Sequence, residues 1–84
     1  MTYHLIVPPD LRRDIMRQPL DTQRTLFQLL QAIRDDPDGA TVAYGEDVPD
    51  SLIRMRTGAR GNVITIVIIN DHTITVTLVD YAAA

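Results

Sequence analysis

Residues 53–81 read IRMRTGARGNVITIVIINDHTITVTLVDY, and the register of this stretch decides the fold. Val63 to Ile69 and Thr73 to Val79 are two runs of β-branched residues separated by Asn70-Asp71-His72, the composition of a β-hairpin. With a three-residue loop, Ile68 would face Ile74, Ile66 would face Val76 and Ile64 would face Leu78, giving one wholly apolar face for a core. Thr65, Val67, Thr73, Thr75 and Thr77 would then share the opposite face. A two-residue loop would instead pair Ile74 with Val67 and mix threonines into the apolar set, and a bulge at His72 would offset the register near the turn. Upstream, Leu52-Ile53-Arg54-Met55-Arg56 alternates with the period of a half-buried strand, Ile53 and Met55 on one face and Arg54 and Arg56 on the other. Thr57 to Asn62, a segment containing Gly58 and Gly61, reads as the turn that leads into the hairpin.

Before this block the chain is helical. Tyr3 to Val7 is a short β-favouring run stopped by Pro8-Pro9. Asp10 suits an N-cap, and Leu11, Ile15 and Met16 make an apolar stripe that ends at Pro19. Asp21 is a second N-cap candidate. Leu26, Leu29, Leu30 and Ile33 then recur at i, i+3, i+4 and i+7, widened by Phe27, as in a helix with one buried face. Pro37 and Gly39 stop it near Asp35-Asp36. Pro37 to Ser51 reads as acidic loop with a short edge strand around Thr41 to Tyr44. The expected architecture is α+β: a single domain over 1–84, in which an N-terminal strand and a helical hairpin pack on one face of a small, mainly antiparallel sheet.

Composition narrows the function. The chain has 84 residues, no cysteine, and eight cationic side chains, every one an arginine. Without cysteine there is no disulfide, iron–sulfur cluster or thiol nucleophile. The N-terminus lacks the basic-then-apolar pattern of a signal peptide, and no apolar run approaches the ~20 residues of a membrane span, so the expectation is a cytoplasmic protein with no membrane contact. A net charge of −3 speaks against generic nucleic-acid affinity. The charge is divided, however. Residues 1–50 hold five arginines against nine acids, whereas Arg54, Arg56 and Arg60 lie in a stretch from Ser51 to Asn70 without any acid.

The order of strand, helical hairpin, acidic loop and arginine-bearing strand resembles the RelE/ParE superfamily of type II toxins, whose members show an R-x-R-x-G-x-x-R run leading into a hydrophobic hairpin. Arg54, Arg56 and Gly58 occupy that run, with Arg60 one residue short of its last arginine. The resemblance implies a cognate antitoxin as partner and, for the RelE branch, translation inhibition by ribosome-dependent mRNA cleavage, an endoribonuclease (mRNA interferase) activity that engages the ribosome and mRNA and needs no cofactor. ParE-like members act on DNA gyrase instead. The family's ribonucleases place a tyrosine, histidine or arginine in a C-terminal strand or tail, and Tyr81 is what this sequence offers there.

Cleaving RNA through its own 2′-hydroxyl requires a group that takes a proton, a group that gives one to the leaving oxygen, and cations on the charged phosphorane. Arginine supplies only the cations, because it stays protonated. Arg54 and Arg56, two apart on a strand, lie roughly 6–7 Å apart, near the phosphate spacing of an RNA strand. The resulting assignment is Arg54, Arg56 and Arg60 for RNA binding, with Arg56, Arg60 and Tyr81 as the catalytic set. Against it stands a plain solvated edge strand, its arginines paired with Asp47 or Asp50, or an arginine pair that meets an antitoxin's acidic tail. Tyr81 would equally serve to cover the sheet edge. His72 reads as a solvated turn residue, and His4 has no second ligand at metal spacing, so no metal site is expected. Arg12, Arg13 and Arg17 alternate with Asp10 and Asp14 on a mixed-charge helix face. The competing function is a catalytically inactive interaction module on the same scaffold, binding an antitoxin or forming a homodimer through an exposed edge or the threonine-rich sheet face.

Overall fold

The β-favouring run before Pro8-Pro9 forms strand β1 (His4–Ile6) in the computed structural model, which describes residues 2–44, 52–58 and 61–83. Helix α1 spans Pro9–Met16 and α2 spans Leu20–Asp35. Each starts directly after a proline that holds the N-cap position, Pro8 or Pro19, so Asp10 and Asp21 are not caps. They lie instead in the first turn, where their charge still favours the helix N-terminus. Asp36 ends α2 at φ −150 and ψ 78, outside the helical region that a following proline disfavours. Its carboxylate accepts from Gly39 N at 3.2 Å and caps a single-turn helix α3 (Pro37–Ala40), within what the sequence suggested was loop. The expected edge strand follows as β2 (Val42–Ala43).

Strands β3 (Leu52–Thr57), β4 (Val63–Asn70) and β5 (Thr75–Ala83) complete a five-stranded sheet in the order β1-β5-β4-β3-β2. All pairings are antiparallel except β1 with β5, which is parallel and matches His4 to Thr75. The architecture is the expected α+β arrangement, mainly antiparallel with helices over one face.

The hairpin register differs from the three-residue expectation. Asn70 Oδ1 accepts from the backbone N–H of both His72 and Thr73, at 2.9 and 3.1 Å, which widens the loop to the four residues Asp71 to Ile74. Ile74 sits at φ 55, a left-handed conformation uncommon for a β-branched residue, and Asn70 pairs with Thr75. Ile68 therefore faces Thr77, and the side chains under the helices are Val63, Thr65, Val67 and Ile69 with Val76 and Leu78. Ile64, Ile66 and Ile68, expected in the core, point to the other side and are half-buried. A β-bulge between Ile66 and Val67 places Ile66 opposite Asp80.

Leu26, Leu29, Leu30 and Ile33 of α2, together with Ile15 of α1, fill the core as their spacing predicts. Burying each such side chain stabilises the fold by about 1.5–3 kcal/mol. Thr65 is completely buried among them, and its hydroxyl donates to Arg56 O at 3.2 Å, so no polar atom is stranded there. Beyond β3 the chain turns at Gly58. A methyl group added there would meet Thr25 Cγ2 at 3.4 Å, an ordinary contact distance, so the strand end lies against α2.

Candidate functional site

Arg54 and Arg56 alternate on β3 opposite Val67 and Thr65, two buried residues of β4. Residues directly opposite share a face, so both arginines point toward the helix layer and not into the solvent. At the margin of that layer they meet the end of α3, whose last carbonyls have no partner within the helix. The Arg54 guanidinium donates from Nε to Thr41 Oγ1 and from Nη2 to Thr41 O at 2.8 Å and Asp38 O at 3.4 Å. Arg56 Nη1 donates to Ala40 O at 2.8 Å. Thr41 Oγ1 donates in turn to Pro37 O, which ties the clamp to the start of the turn. Two cations thus hold one helix end through charge-assisted hydrogen bonds. Arg56 Nε is buried with no partner among the described residues.

Arg56 also forms the wall between two depressions. One is a cleft of about 510 Å³ between the first half of α2 and the β3–β4 turn, where Arg56 meets Arg24, Thr22, Gln28 and Asn62. Its volume lies in the range of small-molecule sites, and among the described residues Asp21 is the single acid lining it. The other, about 310 Å³, lies toward Thr41, Val42 and Met55. The sequence reading passed over Arg24, Gln28 and Asn62. Their signal was present in the one-turn spacing of Arg24 and Gln28 on the polar side of α2, but only the fold shows that β3 ends beside them.

Tyr81 pairs with Thr65, which pairs with Arg56, so the three form a row across β5, β4 and β3 on the helix side of the sheet. Two strand spacings put the backbones of Arg56 and Tyr81 about 10 Å apart. The side chains diverge. Tyr81 OH donates to Asp14 Oδ2 and accepts from Gln18 Nε2 at 3.2 Å, both at the α1 end of the molecule. Partial burial, reinforced by the hydrogen bond to Asp14, raises the Tyr81 pKa above the ordinary phenol value. The fold thus brings Arg54 and Arg56 to one helix end and Tyr81 to another. Arg60, Asp47 and Asp50 lie outside the described residues.

The remaining polar candidates are peripheral. His72 is exposed in the hairpin turn and His4 is exposed on β1. Among the described residues no cluster of histidines and carboxylates could hold a metal ion. Arg13 pairs with Asp10 at 3.1 Å on an exposed face of α1, the mixed-charge surface the sequence suggested. Tyr3 OH donates to Asp71 Oδ1 at 2.7 Å, joining the start of the chain to the hairpin turn, and this bond raises the Tyr3 pKa. Among the described residues no helix is long and apolar enough to cross a membrane.

Sequence comparison finds no matching family model and no matching curated protein. Structure comparison does find matches in fold. An E. coli RelE toxin carrying two arginine-to-alanine substitutions, in the free state, superposes with a TM-score of 0.74 at 12% identity, covering 100% of this chain and 85% of that one. The chain has the RelE fold. The isolated E. coli RelE toxin matches with a TM-score of 0.74 at 14% identity over 98% of this chain and 84% of its own. RelE in the archaeal RelE–RelB complex of Pyrococcus horikoshii gives 0.69 at 11% identity, over 99% and 96% of the two chains. In this chain the β3 arginines brace α3, and the outward side of β3 and β4 is aliphatic.

Proposed function

We propose that this protein is the toxin component of a type II toxin–antitoxin pair, held inactive by a cognate antitoxin and acting, when released, on mRNA at the ribosome. The observation that carries this reading is the RelE fold along the full described chain, from β1 through the β4–β5 hairpin. The Arg56–Arg24 cleft is the surface on which a phosphate group would meet two guanidinium groups with amide and hydroxyl donors beside them. In this reading Arg54 and Arg56, with Arg60 beyond them, hold the RNA backbone, and Tyr81 is the residue available for proton transfer.

A second reading is supported by a specific observation. Both β3 arginines already donate to backbone carbonyls, and the Tyr81 proton is directed at Asp14 on the far side of the core. That arrangement suits a RelE-fold protein that binds its partner without cleaving RNA.

Induced expression with and without the adjacent small gene separates the two. Growth arrest with fragmented mRNA, relieved by co-expression of the neighbour and by replacing Arg56 and Arg60 together with alanine in a protein whose circular dichroism is unchanged, supports the nuclease reading. Arrest with intact mRNA and altered plasmid supercoiling points to gyrase. Growth without arrest, combined with co-purification of the neighbour's product, supports the binding module.

A further inference from the structure

The cleft beside Arg56 gathers polar groups that the fold itself leaves unused. Arg56 commits Nη1 to Ala40 O, and among the described residues Nε and Nη2, the two donors of one guanidinium edge, meet no acceptor. That edge is the fork that fits the oxygens of a phosphate, and its Nε is a buried donor still lacking a partner. Thr22, Arg24, Gln28 and Asn62 line the same concavity, and no side chain among them is bonded to another described residue. By contrast Gln18 and Gln23, on the same helical hairpin, turn their amides to Tyr81 OH and to the carbonyls of Met16 and Gln18. Asp21 precedes Arg24 by three residues, yet no ion pair joins them. Resting on the reading of this cleft as a phosphate site, we propose that it takes one nucleotide, the phosphate on Arg24 and Arg56 and the base on the amides of Gln28 and Asn62.

The mixture of donors and acceptors decides the ligand. A free phosphate or a bare carboxylate would satisfy the two guanidinium groups, but it has no hydrogen to give to Gln28 Oε1, Asn62 Oδ1 or the Asp21 carboxylate. A nucleotide carries both kinds of group, the anion at one end and the N–H groups of the base at the other. Arg24 and Gln28 stand one turn apart on α2, about 6 Å along its axis, so one side of the helix follows a nucleotide from phosphate toward base. Leu29 and Gly58 bring no polar side chain to the cleft, which leaves a plain wall for a flat ring. An amide sets a donor beside an acceptor, and each of the four RNA bases presents such a pair on its Watson–Crick edge, so the base is held without being strongly selected. The volume of about 510 Å³ matches one ligand of this size.

Heteronuclear NMR titration of the isotope-labelled full chain with adenosine 3′-monophosphate, uridine 3′-monophosphate, inorganic phosphate and a glutamate-rich peptide tests this. Both nucleotides should bind with a Kd of order 0.1 mM and within about fivefold of each other, and phosphate at least about tenfold more weakly. The side-chain amide signals of Gln28 and Asn62 should move with the nucleotides and stay in place with phosphate. Arg24→Ala should weaken nucleotides and phosphate alike by about tenfold, whereas Gln28→Leu with Asn62→Ala should weaken the nucleotides about tenfold and leave phosphate unchanged. Arg17→Ala removes the same charge from outside the cleft and should bind as the parent does. A short oligoribonucleotide that displaces the mononucleotide and binds more tightly assigns the pocket to an RNA chain, and one that fails to displace it assigns the pocket to a free nucleotide. Nucleotides that bind no better than phosphate, a loss in Arg17→Ala as large as in Arg24→Ala, or tighter binding of the acidic peptide overturns the proposal. Growth arrest with mRNA cleavage by a chain that fails these titrations removes the pocket and keeps the nuclease, and nucleotide binding by a chain that arrests nothing does the reverse.

Discussion

The two faces of β4 are built from nearly the same residues and have opposite fates. Under the helices, β4 presents Val63, Thr65, Val67 and Ile69, and on the outward side it presents Ile64, Ile66 and Ile68. By apolarity alone the outward set is the better core. The helices nevertheless settle on the side with the valines and the threonine, because smaller side chains let α2 approach the sheet closely and the threonine hydroxyl finds a backbone acceptor. Alternation shows that a strand has two faces. It does not show which one is covered when both are apolar.

The largest expected effect tests that difference directly. Leu30→Ala, at a fully buried position of α2, should lower unfolding stability by about 3–4 kcal/mol in urea, whereas Ile66→Ala on the outward face should cost about 1 kcal/mol or less. Equal losses would mean that the outward face is packed as tightly as the core.

Next in size is the margin between the faces. Arg54→Ala removes the donors to Thr41 and leaves its carbonyl unpaired, which should cost about 1–3 kcal/mol and raise amide exchange selectively over 37–43. A change that left exchange there untouched would return Arg54 to a solvated or ligand-binding role. Thr65→Val, nearly isosteric, should cost about 1 kcal/mol by withdrawing the hydroxyl from Arg56 O, while Ile66→Thr, made on the neighbouring outward position, should be close to neutral.

The smallest effect is read by pH. Tyr81 has a raised pKa in the folded state, so its contribution to stability is full below the ordinary phenol value of 10.0 and is lost as pH rises through the folded value. The parent should therefore lose more stability in strong alkali than Tyr81→Phe does. Asp14→Asn should move the ultraviolet-detected phenol titration back toward 10.0, since it removes the carboxylate that faces the hydroxyl.

Much of this fold was legible because local signals agreed with one another. The Leu26, Leu29, Leu30 and Ile33 stripe, the prolines that delimit the helices and the paired β-branched runs all point to the same α+β layering. The hairpin register was not legible, because it turns on a single side chain: the Asn70 amide oxygen gathers two backbone N–H groups in a four-residue loop, the partner of Ile68 moves from Ile74 to Thr77, and this odd-numbered shift exchanges the two faces of β4. The inward course of Arg54 and Arg56 follows from the same slip. It also depends on α3, a single turn too short to leave a periodic pattern. The expected strand stopped at Val79, two residues short of Tyr81, which β5 includes; the partners of Tyr81 are Asp14 on α1 and Gln18 just beyond it, and nothing in the local sequence joins them.

The parallel pairing of β1 with β5 has a consequence for how the molecule comes to exist. His4 can find Thr75 only after nearly everything between them has been made, so the strand that begins the sheet in sequence is among the last to close it in time. Until then one margin of β5 keeps its backbone donors and acceptors open. A nascent chain in that state presents a template that another copy's first strand could complete, so the early life of this protein should be its most adhesive period.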